Sequence, residues 1–291
     1  MMKFLFGVLL LAMYTSVSAA VVPSPAGGGY FQIYAPGDYA YVADHEDFDA
    51  NMAAGTSFTI EMWIYQKREM KPFDRMRIEP DERWFLITKT GSYRMQFSHD
   101  NIAGHDVSFS IENSGLGGTH NDVEAPLNQW HYVAFMVETQ YRQEIIDKHL
   151  WGSALTERTK FRGVLDTTTS LRIGGGVTPL LGLPGGPFEG KPLWTAFTRG
   201  LIDEVRISNI IRYPREKLDE RLWRDTIVVP TGSFKSDEHT VALWHFDFDG
   251  SPGSKWRDAS GNGHHLTYHG DYLSVEPTQK LSVLWGELKR Q

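Results

Sequence analysis

Ser57-Phe58-Thr59-Ile60-Glu61-Met62-Trp63-Ile64-Tyr65 is the stretch that decides the fold. Phe58, Ile60, Met62 and Ile64 share one phase of a two-residue period; Thr59, Glu61, Trp63 and Tyr65 share the other. Successive side chains of a strand point to opposite sides, so the segment reads as a strand with one wholly apolar face. Gln129 to Glu138 (QWHYVAFMVE) repeats the pattern, with Trp130, Tyr132, Ala134 and Met136 set against His131, Val133, Phe135 and Val137. Apolar residues on both phases predict that both faces of this strand are covered. Shorter runs at Tyr39–Val42, Trp84–Thr88, Tyr93–Ser98, Asp106–Ile111, Leu171–Ile173, Leu201–Ile207 and Val241–Phe248 extend the set to about ten strands. Thr90-Gly91 and Ile102-Ala103-Gly104 supply turns between them. Pro214 to Asp225 alone has helical spacing, with Pro at its start and Leu218 and Leu222 on one side. The fold class is all-β: a two-sheet antiparallel jelly-roll β-sandwich with one short surface helix.

The flanks organise around that body. Lys3, the apolar run Phe4–Met13 and the small residues Ser16–Ala20 have the form of a cleaved signal peptide over residues 1–20. The apolar run is too short to span a bilayer, and no later stretch reaches about 18 apolar residues. The mature protein is therefore expected outside the cell or in the cell envelope, without a membrane span. Residues 21–29, containing PSPAGGG, read as a flexible tether. Residues 30–275 form the sandwich, with 241–270 as a C-terminal strand segment of the same domain, and 276–291 remain a tail. Gln66–Arg83 and Val177–Arg199 are expected to be long excursions, the second rich in Pro and Gly.

Composition narrows the chemistry. The chain has no cysteine, which excludes disulfides, thiolate zinc and a cysteine nucleophile. Its formal charge of -7, or -8 once Lys3 leaves with the leader, argues against nucleic acid and anionic membranes. Calcium, sugars or a protein partner suit such a surface better. Nine tryptophans fit either a sandwich core or sugar-stacking platforms.

Four segments in order resemble the laminin-G-like, concanavalin A-like lectin/glucanase family. These are Ser57–Ile64 (F-T-x-E-x-W), Trp130–Ala134 (W-H-x-V-A), Leu171–Gly175 (L-x-I-G) and Gly200–Ile207 (G-x-I-D-E-V-R-I). Val241–Asp247 and Asp258–His265 resemble the segment that usually opens such a domain, although here it comes last. The resemblance implies a jelly roll used for binding, for glycoside hydrolysis or for polysaccharide cleavage. This chain departs from the family at the hairpin after Val137, where Lys148–Gly152 stands in place of the usual Y-x-N/D-G.

Catalytic and binding residues follow from chemistry. Retaining hydrolases need two carboxylates about 5 Å apart, and the E-x-D-x-x-E run of the glucanases is absent. Asp247 and Asp249 alternate on one face, yet they read as a strand-end turn. The chain is thus expected to be non-catalytic, with a secreted carbohydrate-active enzyme as the alternative and a ligand-free structural protein as a third. Calcium takes six to eight oxygens, and Asp258, Ser260 and Asn262 offer them at alternate positions of a flexible loop. Asp203 and Asp38 join them because the resemblance places their segments near a metal. The competing reading of that loop is plain turn chemistry. His264, His265 and His269 suggest zinc less well, since neighbouring His side chains in a strand diverge and make a surface pair. Trp63, Trp130 and Trp244 are core. Glu204 and Arg206 read as an internal ion pair. Trp194 and Phe197 are the candidate ligand-binding platform, and the expected partner is a glycan or an extracellular protein.

Overall fold

The computed structural model describes residues 23–33, 37–50, 56–67, 81–100, 104–111, 124–139, 141–154, 163–175, 189–190, 194–196, 200–213, 227–247 and 255–270. Ser24–Val275 form a compact unit. Its elements in chain order begin with β1 (Phe31–Gln32), β2 (Tyr39–Val42), the single-turn α1 (Asp47–Ala50) and β3 (Phe58–Gln66). The hairpin strands β4 (Asp81–Lys89), β5 (Tyr93–Asp100) and β6 (Gly104–Ile111) follow, then β7 (Trp130–Glu138), β8 (Tyr141–Ile146) and β9 (His149–Ala154). Next come β10 (Leu171–Ile173), β11 (Trp194–Ala196), β12 (Gly200–Ser208), β13 (Thr240–Trp244), β14 (Lys255–Trp256) and β15 (Leu266–His269).

Two sheets result. The first has the order β1-β12-β3-β7-β8-β9, with β13 also paired to β12. The second runs β14-β15-β2-β10-β4-β5-β6, with β11 added to β4. Every pairing is antiparallel except that of β11 with β4. The C-terminal strands are divided between the sheets. β13 extends the first beside β12, while β15 joins β2 at the edge of the second.

The period-two reading of β3 holds. Phe58, Ile60, Met62 and Ile64 enter the inter-sheet core with Val133, Phe135 and Val137 of β7. From the second sheet they meet Trp84, Leu86, Met95, Phe97, Phe109 and Leu171. Phe109 and Phe135 stack across the gap with centroids 3.7 Å apart and planes 7° from parallel. The opposite phase is buried too. Trp63, Tyr132, Ala134, Met136 and Leu243 pack beneath Ala26, Ile227 and Phe234. A layer of chain drawn from residues 24–26 and 227–234 therefore covers the outer face of the first sheet.

Several elements differ from the sequence reading. Tyr141–Ala154 forms a further hairpin, β8–β9, closed by Asp147-Lys148 with Asp147 at φ 54°. Asp tolerates that left-handed conformation, so the family's Gly is dispensable here. β3 runs on to Gln66 and β4 starts at Asp81, so the first excursion is shorter than expected. Trp194–Ala196, within the second excursion, is a strand rather than loop. The tether is also not free: Ser24 and Ala26 are buried, and Gly232 donates its N–H to the Pro25 carbonyl. The helix expected at 214–225, the leader at 1–20, Phe197 and the tail at 276–291 lie outside the described residues.

Glu144 on β8 pairs opposite Phe135 and so points into the inter-sheet space. Neither of its carboxyl oxygens has a hydrogen-bond partner. Burial pushes its pKa well above the usual carboxylate range, against the smaller opposing pull of Arg142. A carboxyl raised in this way favours folding in its protonated form and costs stability as pH rises above its unfolded value. Glu144→Met, similar in volume and without the unsatisfied polar atoms, is expected to add about 1–3 kcal/mol at neutral pH. Urea denaturation at pH 5 and pH 8 checks this, and the gain should be larger at pH 8.

Candidate functional site

The charged residues of the family motifs brace the covering layer. Glu61, at the centre of β3, is fully buried and points toward that layer. Its carboxylate accepts from Arg206 Nε at 2.7 Å and from the Tyr132 hydroxyl. Tyr132 also meets the Tyr213 hydroxyl at 2.9 Å. Arg206 in turn donates to the Lys235 carbonyl and lies 4.9 Å from the centre of the Phe234 ring. Both partners of the buried Glu61–Arg206 pair are thus multiply hydrogen-bonded, the condition under which such a pair repays its desolvation. The Glu of F-T-x-E-x-W and the Arg of D-E-V-R hold each other. Arg206 does not pair with Glu204, contrary to the sequence reading.

A bulge explains why. Asp203 opposes Trp63 and Arg206 opposes Glu61, so two β12 residues stand against Met62 alone, and Glu204 takes φ 53°. The kink lets Glu204 accept from the Phe234 N–H at 2.8 Å and face His245 Nδ1 at 2.9 Å. Asp203, fully buried, accepts from Ser24 Oγ at 2.5 Å and from the Glu204 N–H. Asp247 Oδ1 accepts the Gly29 N–H at 2.7 Å. Burial first, then Glu204 and Asp247, push the Asp203 carboxyl up to about 8. The hydrogen bond to Glu204 raises His245 above its usual value.

The Asp258–Asn262 loop is a hydrogen-bonded latch. Asp258 Oδ1 accepts the N–H groups of Leu243 and Ser260; Oδ2 accepts Ser260 Oγ and the His264 N–H. Asn262 donates its amide to the carbonyls of Thr240 and Val241. Four donors on one carboxylate leave it poorly suited to calcium, which would have to displace them. Asp38 is buried elsewhere, against Gly175 and Gly270, and Asp203 belongs to the β12 bulge. Of the five residues expected to share a metal, Asp258, Ser260 and Asn262 meet in one loop, while Asp203 and Asp38 stand with other partners. Among the described residues, the group of metal-ligating side chains with all ligand atoms within 4.8 Å of one another is His45, Asp47 and His264. His264 is buried, so it is not part of a surface pair, whereas His265 is exposed.

The outer face of the second sheet offers a different kind of surface. One register row crosses six strands as Thr267, Tyr41, Arg172, Thr88, Arg94 and Ser110. Six strands about 4.8 Å apart make this row roughly 24 Å wide. At its β2–β15 end, Tyr39 stacks with His269 at 4.6 Å and lies 6.0 Å from Tyr41. The Arg172 guanidinium sits 4.9 Å over the Tyr39 ring. His269 is exposed, and Tyr39, Tyr41 and Arg172 are partly so. Toward β4–β6 this outer face is buried at Phe85, Thr88, Gln96, Ser98, Asp106 and Ser108, so its exposed part is the β10–β2–β15 end. Alternation in these short strands could have pointed to the row; which part of it stays exposed could not be read in advance. Trp194 opens β11 beside Asp81 of β4.

The profile of the laminin G-like family, described as the concanavalin A-like lectin/glucanases superfamily, matches residues 36–216. The chain belongs to that family. No curated protein sequence matches it. Among solved structures it is similar to a Bacteroides ovatus protein to which carbohydrate binding is ascribed, at 13% identity and TM-score 0.49. That alignment covers 84% of this chain and 61% of the other, so the chain spans less than two thirds of that protein. Mouse laminin α1 domains LG4-5 align at 12% identity and TM-score 0.37, covering 65% of this chain and 44% of theirs. A pentraxin of Limulus polyphemus aligns at 10% identity and TM-score 0.36, covering 64% and 76%.

The β12 bulge gives the fold a pH signature. Asp203 and His245 both have folded-state pKa values above their unfolded ones. Each therefore contributes stability that is complete below its unfolded pKa and is lost as pH rises through the folded one. Thermal melts are expected to show stability falling between pH 5 and pH 9. Asp203→Asn, which cannot ionise, should flatten the part of that slope below about pH 8, between the unfolded and folded values. An unchanged slope in the variant would remove Asp203 as its source.

Proposed function

We propose that this protein is an exported, non-catalytic glycan-binding module whose binding surface is the outer face of the second sheet. The observation that carries the reading is the partly exposed aromatic and charged cluster at the β10–β2–β15 end of the second sheet's outer face. The first sheet buries Trp63, Tyr132 and Met136 under residues 24–26 and 227–234. The second presents Tyr39, Tyr41, Arg172 and His269 around one end of a polar row. Sugars offer both apolar C–H faces and hydroxyl groups, so aromatic rings beside charged and hydroxyl donors suit them. Export is supported by the charged, apolar and small-residue sequence of the first 20 positions. A non-catalytic role is supported by the absence from the sequence of the glucanases' E-x-D-x-x-E run.

A glycan array followed by titration with the retained oligosaccharide tests the proposal. Tyr39→Ala and Arg172→Ala are each expected to weaken retention by about tenfold, with unchanged circular dichroism, because stacking and cation–π contacts are worth on the order of 1 kcal/mol beyond buried area. Retention should survive a calcium-selective chelator, given the saturated Asp258 carboxylate. Release of reducing ends would establish the enzymatic alternative, and full retention by both variants would move the site elsewhere.

A further inference from the structure

His45 lies between β2 and α1, Asp47 opens the single turn of α1, and His264 lies in the turn before β15. Because β2 and β15 are paired, residues 217 positions apart meet at one end of that strand pair. Asp47 Oδ2 is 2.8 Å from His264 Nε2 and 3.2 Å from His45 Nδ1. The two imidazoles meet edge to face with centroids 4.7 Å apart. Ligands about 2.0–2.1 Å from a tetrahedral zinc ion stand roughly 3.3 Å from one another, so both contacts approximate edges of such a site.

His45 Nδ1 accepts the Asp47 backbone N–H at 3.2 Å and stands 3.2 Å from Asp47 Oδ2. A bare ring nitrogen beside a carboxylate oxygen is a pair of lone-pair donors that a bound cation can share.

We infer that His45, Asp47 and His264 form a binding site for a divalent transition metal of the zinc class. Two imidazoles and one carboxylate are the donor set such ions favour, whereas calcium requires six to eight oxygens. His45 is half-exposed and Asp47 about one-third exposed, while His264 is 4% exposed. The site thus has a buried anchor and a wet mouth, with coordination completed by water.

The ligands are held in advance. Lys89, fully buried at the end of β4, bonds Asp44 at 2.7 Å and Asp49 at 2.9 Å, gripping the segment on either side of His45 and Asp47. Phe48 is fully buried and packs on the His264 ring at 4.7 Å. The His264 backbone is fixed at both ends: its N–H donates to Asp258 Oδ2, and its carbonyl accepts Trp244 Nε1 at 2.7 Å. Supporting contacts of this kind orient first ligands and sharpen affinity.

The test uses the full chain stripped with EDTA and contains no glycan, so its outcome is independent of the glycan reading. Zinc chloride titrated by calorimetry is expected to bind one equivalent and to raise the melting temperature, and calcium chloride is expected to do neither. Cobalt(II) at the same site should develop the intense visible band of a tetrahedral complex. His45→Ala and Asp47→Ala, both at partly exposed positions, should keep the metal-free fold and lose at least about tenfold in zinc affinity. His239→Ala, at another exposed histidine, should bind as the parent does. No zinc bound, or equal affinity in all three variants, overturns the assignment.

Discussion

Two apolar phases on the same strands leave the first sheet no face to give to solvent. β3 and β7 place Phe58, Ile60 and Phe135 on one side and Trp63, Tyr132 and Met136 on the other. A strand cannot turn both sets toward a single core, because the side-chain period is fixed at two. One set must meet the second sheet and the other must meet additional chain. Residues 227–234 and 24–26 supply that chain. The remaining architecture follows from this demand: chain covers the outer side of the first sheet, and the outer face of the second is partly exposed at its β10–β2–β15 end.

The covering layer carries few large side chains, so polar contacts have to fix it in place. Exposed ion pairs would do this weakly, since solvent and side-chain entropy reduce them to less than about 1 kcal/mol. Glu61 and Arg206 are different because Glu61 is fully buried, Arg206 largely so, and they share their remaining valences with Tyr132 and the Lys235 carbonyl. The β12 bulge then rotates Glu204 and Asp203 toward Phe234 and Ser24, one clasp on each side of the layer. A regular strand would send Asp203 and Glu204 to opposite faces, one of them into the apolar core. The strained φ of Glu204, costing on the order of 1 kcal/mol, is thus coupled to three satisfied polar groups.

Much of the frame was legible in the sequence, and the reason is local. Alternation in Ser57–Tyr65 and Gln129–Glu138 needs no tertiary knowledge to be read, and both strands lie where the pattern put them. Tyr141–Ala154 escaped because its apolar residues fall in adjacent pairs, Ile145-Ile146 and Leu150-Trp151, without a two-residue period, and its turn uses Asp147 instead of Gly. The sites were less accessible. Asp258, Ser260 and Asn262 have the spacing of a calcium loop, but the same oxygens serve equally well as acceptors for a tight turn, and only the positions of Leu243 and His264 distinguish the two. His45 and Asp47 carry no local signal at all. Their meeting with His264 depends on the register of β2 against β15, a long-range fact.

That register also explains why one loop can resemble a metal site and yet contribute to a different one. Asp258 spends its lone pairs on the turn's own donors, including the His264 N–H, so its carboxylate acts on the backbone. The same bonds stop the His264 ring from swinging away, with Phe48 packed against one side and Trp244 tied to its carbonyl. Across the gap, Lys89 engages both Asp44 and Asp49, two carboxylates that would otherwise compete for a cation. What is left facing the gap is nitrogen, nitrogen and one carboxylate. Selectivity for a borderline ion over calcium then follows from which oxygens the fold has already engaged, rather than from how many acidic residues the loops contain.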